Sequence, residues 1–296
     1  MMSTAVKPVP HGGGTQAPAL KWRGGTLDLG VPRVMGIVNI TPDSFSDGGR
    51  FLDPAAALDH AHRLVEEGAA IIDLGAESTR PGAAPLPVEE ERRRLTPVLD
   101  RLAAEIRVPI SVDTSKAEIM TLAADAGAAI VNDGRALREP GAIEAVLAAD
   151  CAVCLMHMQG TPATMQDGPH YEDVVEDVCA FLEARADACV DAGIAPDHIL
   201  IDPGFGFGKT VEHNLKLLRH LPEFLDLGYP LLVGLSRKSP IGRIVGAESS
   251  DRLAGSLAAA TLAVWLGASI VRAHDVRATV KALAVVDAVR HAAVPV

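Results

Sequence analysis

The residues best equipped for chemistry recur at intervals, each just after a short apolar run. They are Asn39, then Glu77-Ser78-Thr79-Arg80, Asp113, Asn132-Asp133, His157, Asp202, Ser236-Arg237-Lys238, and Arg272 with His274. Asp113, Asn132 and Asp202 supply carboxylates and an amide, and buried carboxylates need donors, which a ligand bearing adjacent N–H groups would provide. Arg, Lys and His side chains gather elsewhere in the set. That division suggests a substrate with a hydrogen-bonding head and an anionic tail. Asn39 offers an oxygen suited to Mg²⁺ alongside phosphate and water. Any one of these residues alone is more often a cap or turn former than a ligand contact. Asp113, for instance, could simply help start the helix behind it.

The stretch DPGFGFGKT (202–210) resembles a nucleotide loop without being one. Gly208-Lys209-Thr210 fits the end of a Walker A loop, but its first position is Pro203, which has no N–H to cradle a phosphate. A dinucleotide fingerprint fails too, because Lys209 stands where the last glycine belongs.

The elements that must position these groups repeat one pattern. Apolar runs fall at 34–40, 70–75, 108–113, 128–133, 152–157, 198–204, 230–236 and 268–274, with Ala/Leu-rich segments of helical period between them. Asp53-Pro54 is an N-cap followed by Pro at the first helical position. Ser115 to Glu118 forms a capping box, after which Ile119, Leu122, Ala123 and Ala126 make an apolar face. Glu89-Glu90-Glu91 places negative charge in a first turn. Continuous apolar strands are those of a buried parallel sheet. Eight strands, each followed by a helix, predict a single (β/α)8 barrel, with a doubly wound sheet as the weaker alternative. Barrel chemistry sits at the C-terminal strand ends, where every residue named above falls. Alternation sends Arg272 and His274 to one face of the last strand, beside the usual barrel phosphate position.

Bulk properties agree. The 296 residues suit one barrel, and 48% hydrophobic with 3% aromatic content means that Ala, Val, Ile and Leu fill the core. A formal net charge of −11 argues against nucleic acid and against anionic membranes as partners. Four cysteines make no disulfide scaffold, and the Cys151/Cys154 pair lies in an apolar run with no second ligand pair, so a reducing cytoplasm is expected. Residues 1–20 lack a signal-peptide core and read as a flexible tail ahead of a barrel domain over 21–296. The uncharged stretch from Leu253 to Val271 has the length of a membrane span. Its small residues and Gly267 instead divide it into a buried helix and a strand beginning near Ala268.

MGIVNITPDSFSDGG, ESTRPGA, SVDTSK, LMHMQGTP, DPGFGFGK, GLSRKS and RAHDV, in that order and over roughly residues 22–290, resemble the dihydropteroate synthase family. The resemblance implies a (β/α)8 barrel that joins (7,8-dihydropterin-6-yl)methyl diphosphate to 4-aminobenzoate, releasing diphosphate and forming 7,8-dihydropteroate. It implies Mg²⁺, a homodimer, and sulfonamides as inhibitors that compete with aminobenzoate. Asp202 would clamp the pterin N–H groups, with Asp113, Asn132 and Lys238 around the ring and Met156 and Phe207 packing on it. Asp113, Asp202 and Lys238 would be the catalytic set. Thr79, Arg80, Arg272 and His274 would meet the diphosphate, and Asn39 its Mg²⁺. Phe45, Pro81, Lys238 and Ser239 would border the aminobenzoate, its carboxylate at the start of the helix after Lys238. The TPDSFSDGGR and TRPGAAPLP segments would close over a dissociative, SN1-like transfer. His157 reads as structural, Arg237 as a partner for nearby carboxylates, and Lys209-Thr210 as a helix start. Gly134 departs from the bulky apolar residue expected after Asn-Asp. A Schiff-base role for Lys238 would need a carbonyl substrate that nothing in the sequence identifies. A corrinoid methyltransferase would not need Arg272 and His274. A non-catalytic pterin-binding homologue could have lost Asn39, Asp113 or Lys238, and all three are present.

Overall fold

A computed structural model of the chain describes residues 18–41, 53–80, 82–246 and 252–292. It opens with a hairpin, β1 (Ala19–Trp22) and β2 (Gly25–Asp28), and continues with β3 (Arg33–Asn39), α1 (Pro54–Glu66), β4 (Ile71–Gly75) and α2 (Val88–Glu105). Then come β5 (Ile110–Asp113), α3 (Ala117–Asp125), β6 (Ile130–Asp133), α4 (Ala142–Ala149), β7 (Ala152–Met156) and α5 (Val174–Asp191). The last part holds β8 (Ile199–Asp202), α6 (Val211–Arg219), β9 (Leu232–Val233), α7 (Ser239–Val245), α8 (Leu253–Trp265), β10 (Ile270–Ala273) and α9 (Val276–His291).

Among the described residues, eight parallel strands form one sheet in the order β8-β7-β6-β5-β4-β3-β10-β9. A bridge between Ile201 and Leu231 brings β8 back to the β9 edge and closes the barrel. Each expected apolar run yields a strand; most are trimmed, and the first runs from Arg33 to Asn39, one residue ahead of its expected bounds. β9 is the shortest because Pro230 has no N–H to give a ladder. The hairpin was not foreseen. It begins at Ala19, so Ala19 and Leu20 belong to it and not to the tail expected over 1–20; residues 1–17 lie outside the described residues.

Alternation along the strands builds two surfaces. Outward residues such as Val38, Leu74, Val112, Val131 and Val153 pack beneath the helices. Inward residues at the lower end, among them Met35, Ile71, Ile130, Leu200 and Ile270, make a second apolar cluster with Leu20 and Leu29. The hairpin therefore plugs the barrel floor. Two positions further along the same inward faces come Asp73, Asn132, Asp202 and Arg272, with Ser111 level with Asp73 on β5. The barrel interior changes from hydrocarbon to charge over a single layer of side chains.

Helix starts agree with the sequence in part. Asp53 caps α1 by accepting from Ala55 N at 3.0 Å. Glu89, Glu90 and Glu91 do lie in the first turn of α2. The capping box at Ser115 does not form: α3 starts at Ala117, and Ser115 Oγ donates to Asp133 instead, at 2.5 Å. A carboxylate in reach outcompetes a backbone N–H for that hydroxyl. The uncharged stretch from Leu253 divides as expected into α8 and β10. Among the described residues no helix is long and apolar enough to cross a membrane. Cys151, Cys154, Cys179 and Cys189 are free thiols. Replacing the fully buried Leu20 by alanine should cost about 2–5 kcal/mol, read as a lower urea midpoint, because the cavity opens under the plug.

Candidate active site

Register places the sequence candidates in one ring. Asn39 sits level with Gly75, Gly75 with Asp113, Asp113 with Asn132, and Met156 with Asp202. Arg272 bridges two carboxylates inside this ring. Its Nε donates to Asp73 Oδ2 at 2.6 Å, and Nη2 donates to Asp113 Oδ2 at 3.0 Å. Asn132 Nδ2 donates to the same Asp73 oxygen at 3.3 Å. Asp73 is fully buried and was missed by the sequence reading. The available signal was a charge in the middle of an otherwise apolar strand, which must find a partner when buried. Burial pushes the Asp113 carboxyl up to about 7; Arg272 opposes that rise and Asp73 reinforces it.

Asp202, 4% exposed, is fixed by its own loop: Oδ1 accepts from Gly204 N at 2.7 Å, and its carbonyl accepts from His157 N at 3.0 Å. Burial raises its carboxyl pKa, with Lys238 as the largest opposing charge. Lys238 Nζ donates to Phe205 O and lies 4.4 Å from the Phe207 ring centroid. Burial lowers its ammonium to about 8. Phe207 packs with Met156, Met158 and Met165, so the apolar wall lies next to the carboxylates.

His274 differs from its expected cationic role. Burial, with Arg272 and Arg237 nearby, holds its imidazole down at about 3, so the ring is neutral. Ser236 Oγ accepts from His274 N at 3.2 Å and lies 3.0 Å from Nδ1. In the ring tautomer with its proton on Nε2, the hydroxyl donates to Nδ1. Such a ring donates to an anion without bringing a charge.

Other candidates take supporting places. Asp133 is not part of the ring: besides Ser115 it accepts from Arg135 N and Leu137 N, each at 2.7 Å, and clasps the loop after β6. Arg237 forms a two-pronged pair with Asp275 at 2.9 and 2.6 Å, as a partner for a carboxylate should. Glu77 holds the loop that carries Thr79 and Arg80: one oxygen accepts from Leu86 N at 2.8 Å and the other meets Lys116 at 2.6 Å. Lys116 also pairs with buried Glu91 at 2.5 Å. Ser239 opens α7. Thr210 caps α6 as expected, but Lys209 is buried beside His157. A Cβ on Gly134 would touch Met156 Cε at 3.4 Å, an ordinary contact. Phe45 and Pro81 lie outside the described residues.

Residues 35–274 match the family model described as pterin binding enzyme. The chain belongs to that family. It is 52% identical over 266 residues to the dihydropteroate synthase of Escherichia coli K12, covering 90% of this chain and 94% of that one. A crystal structure of the Yersinia pestis dihydropteroate synthase with a sulfonamide drug complex superposes with a TM-score of 0.90 at 50% identity, covering 92% and 99% of the two chains. A Xanthomonas albilineans dihydropteroate synthase with 4-aminobenzoic acid gives 0.88 at 53% identity, covering 95% and 100%. The barrel expected from the sequence is the fold of this family.

The neutral ring of His274 fixes the sign of one pH effect. The unfolded chain protonates it near the ordinary histidine value, about 6.5, whereas the folded chain holds it unprotonated down to about 3. Stability is thus complete above that upper value and is lost as pH falls through the window. His274→Gln should retain about 1–2 kcal/mol more of its neutral-pH stability at about pH 5 than the parent chain, measured by urea unfolding at both pH values.

Proposed function

We propose that the chain condenses (7,8-dihydropterin-6-yl)methyl diphosphate with 4-aminobenzoate to give 7,8-dihydropteroate and diphosphate, a transferase step of folate biosynthesis. The observation that carries this reading is the convergence of Asp113, Asn132, Asp202 and Lys238 with Arg272 and His274 at one barrel rim, in a chain half identical to dihydropteroate synthases. Asp202 presents an acceptor pair to the ring N–H groups. Asn132 and Lys238 address its other polar edges, and Met156 and Phe207 cover its face. Arg272 and the Nε2–H of His274 serve the diphosphate together with Thr79 and Arg80. Phe45, Pro81, Lys238 and Ser239 border the aminobenzoate.

Asn39 would hold Mg²⁺ on the diphosphate. Among the described residues no group of three acidic, histidine or cysteine side chains could hold a metal. A single amide oxygen at a strand end suits a small hard cation that takes its other oxygens from water and substrate phosphate. When bound, the ion would neutralise charge on the leaving group.

The transfer is dissociative. Loss of diphosphate leaves a cationic pterin methylene next to Asp113 and Asp202. Asp113, poised near neutrality, is drawn to its carboxylate form as that positive charge develops. The arylamine attacks without a strong base, and no covalent bond to the protein forms. The Thr79–Pro87 segment, tethered by Glu77, excludes water above the intermediate. Sulfonamides compete for the aminobenzoate position.

The chain acts in the cytoplasm as a homodimer. Leu262 and Trp265 on α8 and Val285 and Val289 on α9 are all exposed, and a second copy is the occupant that would cover them.

Purified protein with both substrates should form dihydropteroate with Mg²⁺ and fall to background when the metal is chelated. In calorimetry, Asp202→Asn should weaken pterin diphosphate binding roughly hundredfold by replacing two acceptors with one acceptor and one donor. No product from the parent chain, or unchanged affinity in the variant, contradicts the respective assignment. Sedimentation should show a dimer for the parent and a monomer for Leu262→Glu combined with Val289→Lys.

A further inference from the structure

The loop Pro203–Gly208 turns its carbonyls toward side chains. Gly204 O and Phe207 O each accept from Lys209 Nζ at 3.0 Å, and Phe205 O accepts from Lys238. Gly206 O accepts from Gln166 Nε2 at 3.0 Å, and Gly208 O from Tyr171 Oη at 2.7 Å. Five consecutive carbonyls are thus each taken by a side chain. Three N–H groups are spent as well: Gly204 N goes to Asp202, Gly206 N goes to Asn214 Oδ1 at 2.7 Å, and Phe207 N goes to Gly204 O at 3.1 Å. A phosphate loop needs a run of free N–H groups, and this one has committed those of Gly204, Gly206 and Phe207 to the protein.

Lys209 is the centre of that arrangement. It is 3% exposed and its ammonium also reaches His157 Nδ1 at 2.8 Å and His157 O at 3.3 Å. An amine this buried is tolerated only when its donors are satisfied. Here every acceptor belongs either to the loop or to the strand end beside it. Gly204 permits the close approach: a Cβ there would lie 1.8 Å from His157 O. Gly204 N in turn fixes the Asp202 carboxylate.

We propose that Lys209 is a positioning residue that sets the Asp202 carboxylate for the pterin ring by pinning the Pro203–Gly208 carbonyls to the His157 strand end. It acts through backbone, so the ring site depends on it directly through Asp202, and the aminobenzoate site only at one remove, through the Lys238 bond to Phe205 O. The inference rests on the pterin reading of the site.

The test measures pterin diphosphate binding by calorimetry and the aminobenzoate KM at saturating pterin diphosphate, for the parent chain and Lys209→Met. Pterin diphosphate affinity should fall about tenfold, which corresponds to about 1.4 kcal/mol. The aminobenzoate KM should stay within about twofold, well below that tenfold change. Deuterium uptake over residues 203–208 should quicken while the barrel strands stay protected. Tyr171→Phe and Gln166→Ala remove single donors to the same loop without exposing a buried charge. They should shift pterin affinity in the same direction by about two- to fivefold, which corresponds to about 0.4–1 kcal/mol, even where Lys209→Met fails to fold. Equal loss at both substrates, or unchanged pterin affinity in the loop variants, overturns the proposal. A parent chain that does not bind pterin diphosphate overturns the functional reading instead.

Discussion

Arg272 joins Asp73 and Asp113 inside a barrel whose lower half is hydrocarbon, and the geometry of the rim depends on that junction. Two carboxylates on neighbouring strands repel each other and lose hydration together. A guanidinium spanning both, with its planar fork, offsets the two costs at once. Asn132 is drawn into the same cluster by sharing an oxygen of Asp73. Removing any one of these charges would strand the others in a medium that does not solvate them. The network therefore specifies an arrangement more than it adds stability.

Around this junction burial sorts the titratable groups by charge. Lys238 is lowered toward neutrality, Asp113 is raised toward it, and the His274 ring is held neutral. A site that handles a polyanion and a transient cation gains from groups that respond to an arriving charge. In the proposed transfer, Asp113 would give a carboxylate as positive charge develops, while His274 would give a hydrogen bond without competing with Arg272 for counterions.

Much of this was legible because strand position and side-chain type are both local. Apolar runs of six or seven residues gave the strands, and the polar residues towards the end of each gave the rim. Asn39, Asp113, Asn132, Asp202 and Arg272 lie where a reading of strand ends puts them. What escaped depends on distant partners. Asp73 lies inside a strand and is explained by Arg272, 199 residues away, and Asn132, 59 residues away. Lys209 looked like the start of a helix because its acceptors are carbonyls of its own loop and the distant His157, which side-chain type does not announce. Ser115 fits a capping box until Asp133 arrives from the next strand. The hairpin at Ala19 was lost because a plug has no chemistry of its own to announce it.

β9 has a consequence for mechanics. It contributes two residues to the sheet and meets β8 through the bridge at Ile201, so this join is the least securely laddered seam of the barrel. Asp202 and Lys238 stand on its two sides. A shift of tenths of an ångström across it disturbs few backbone bonds, so the width of the cleft between acid and amine is a soft coordinate. The opposite wall, where β3, β4 and β5 run in full register, is stiff. A flat ligand held at this rim, as proposed, would sit between one rigid jaw and one compliant one.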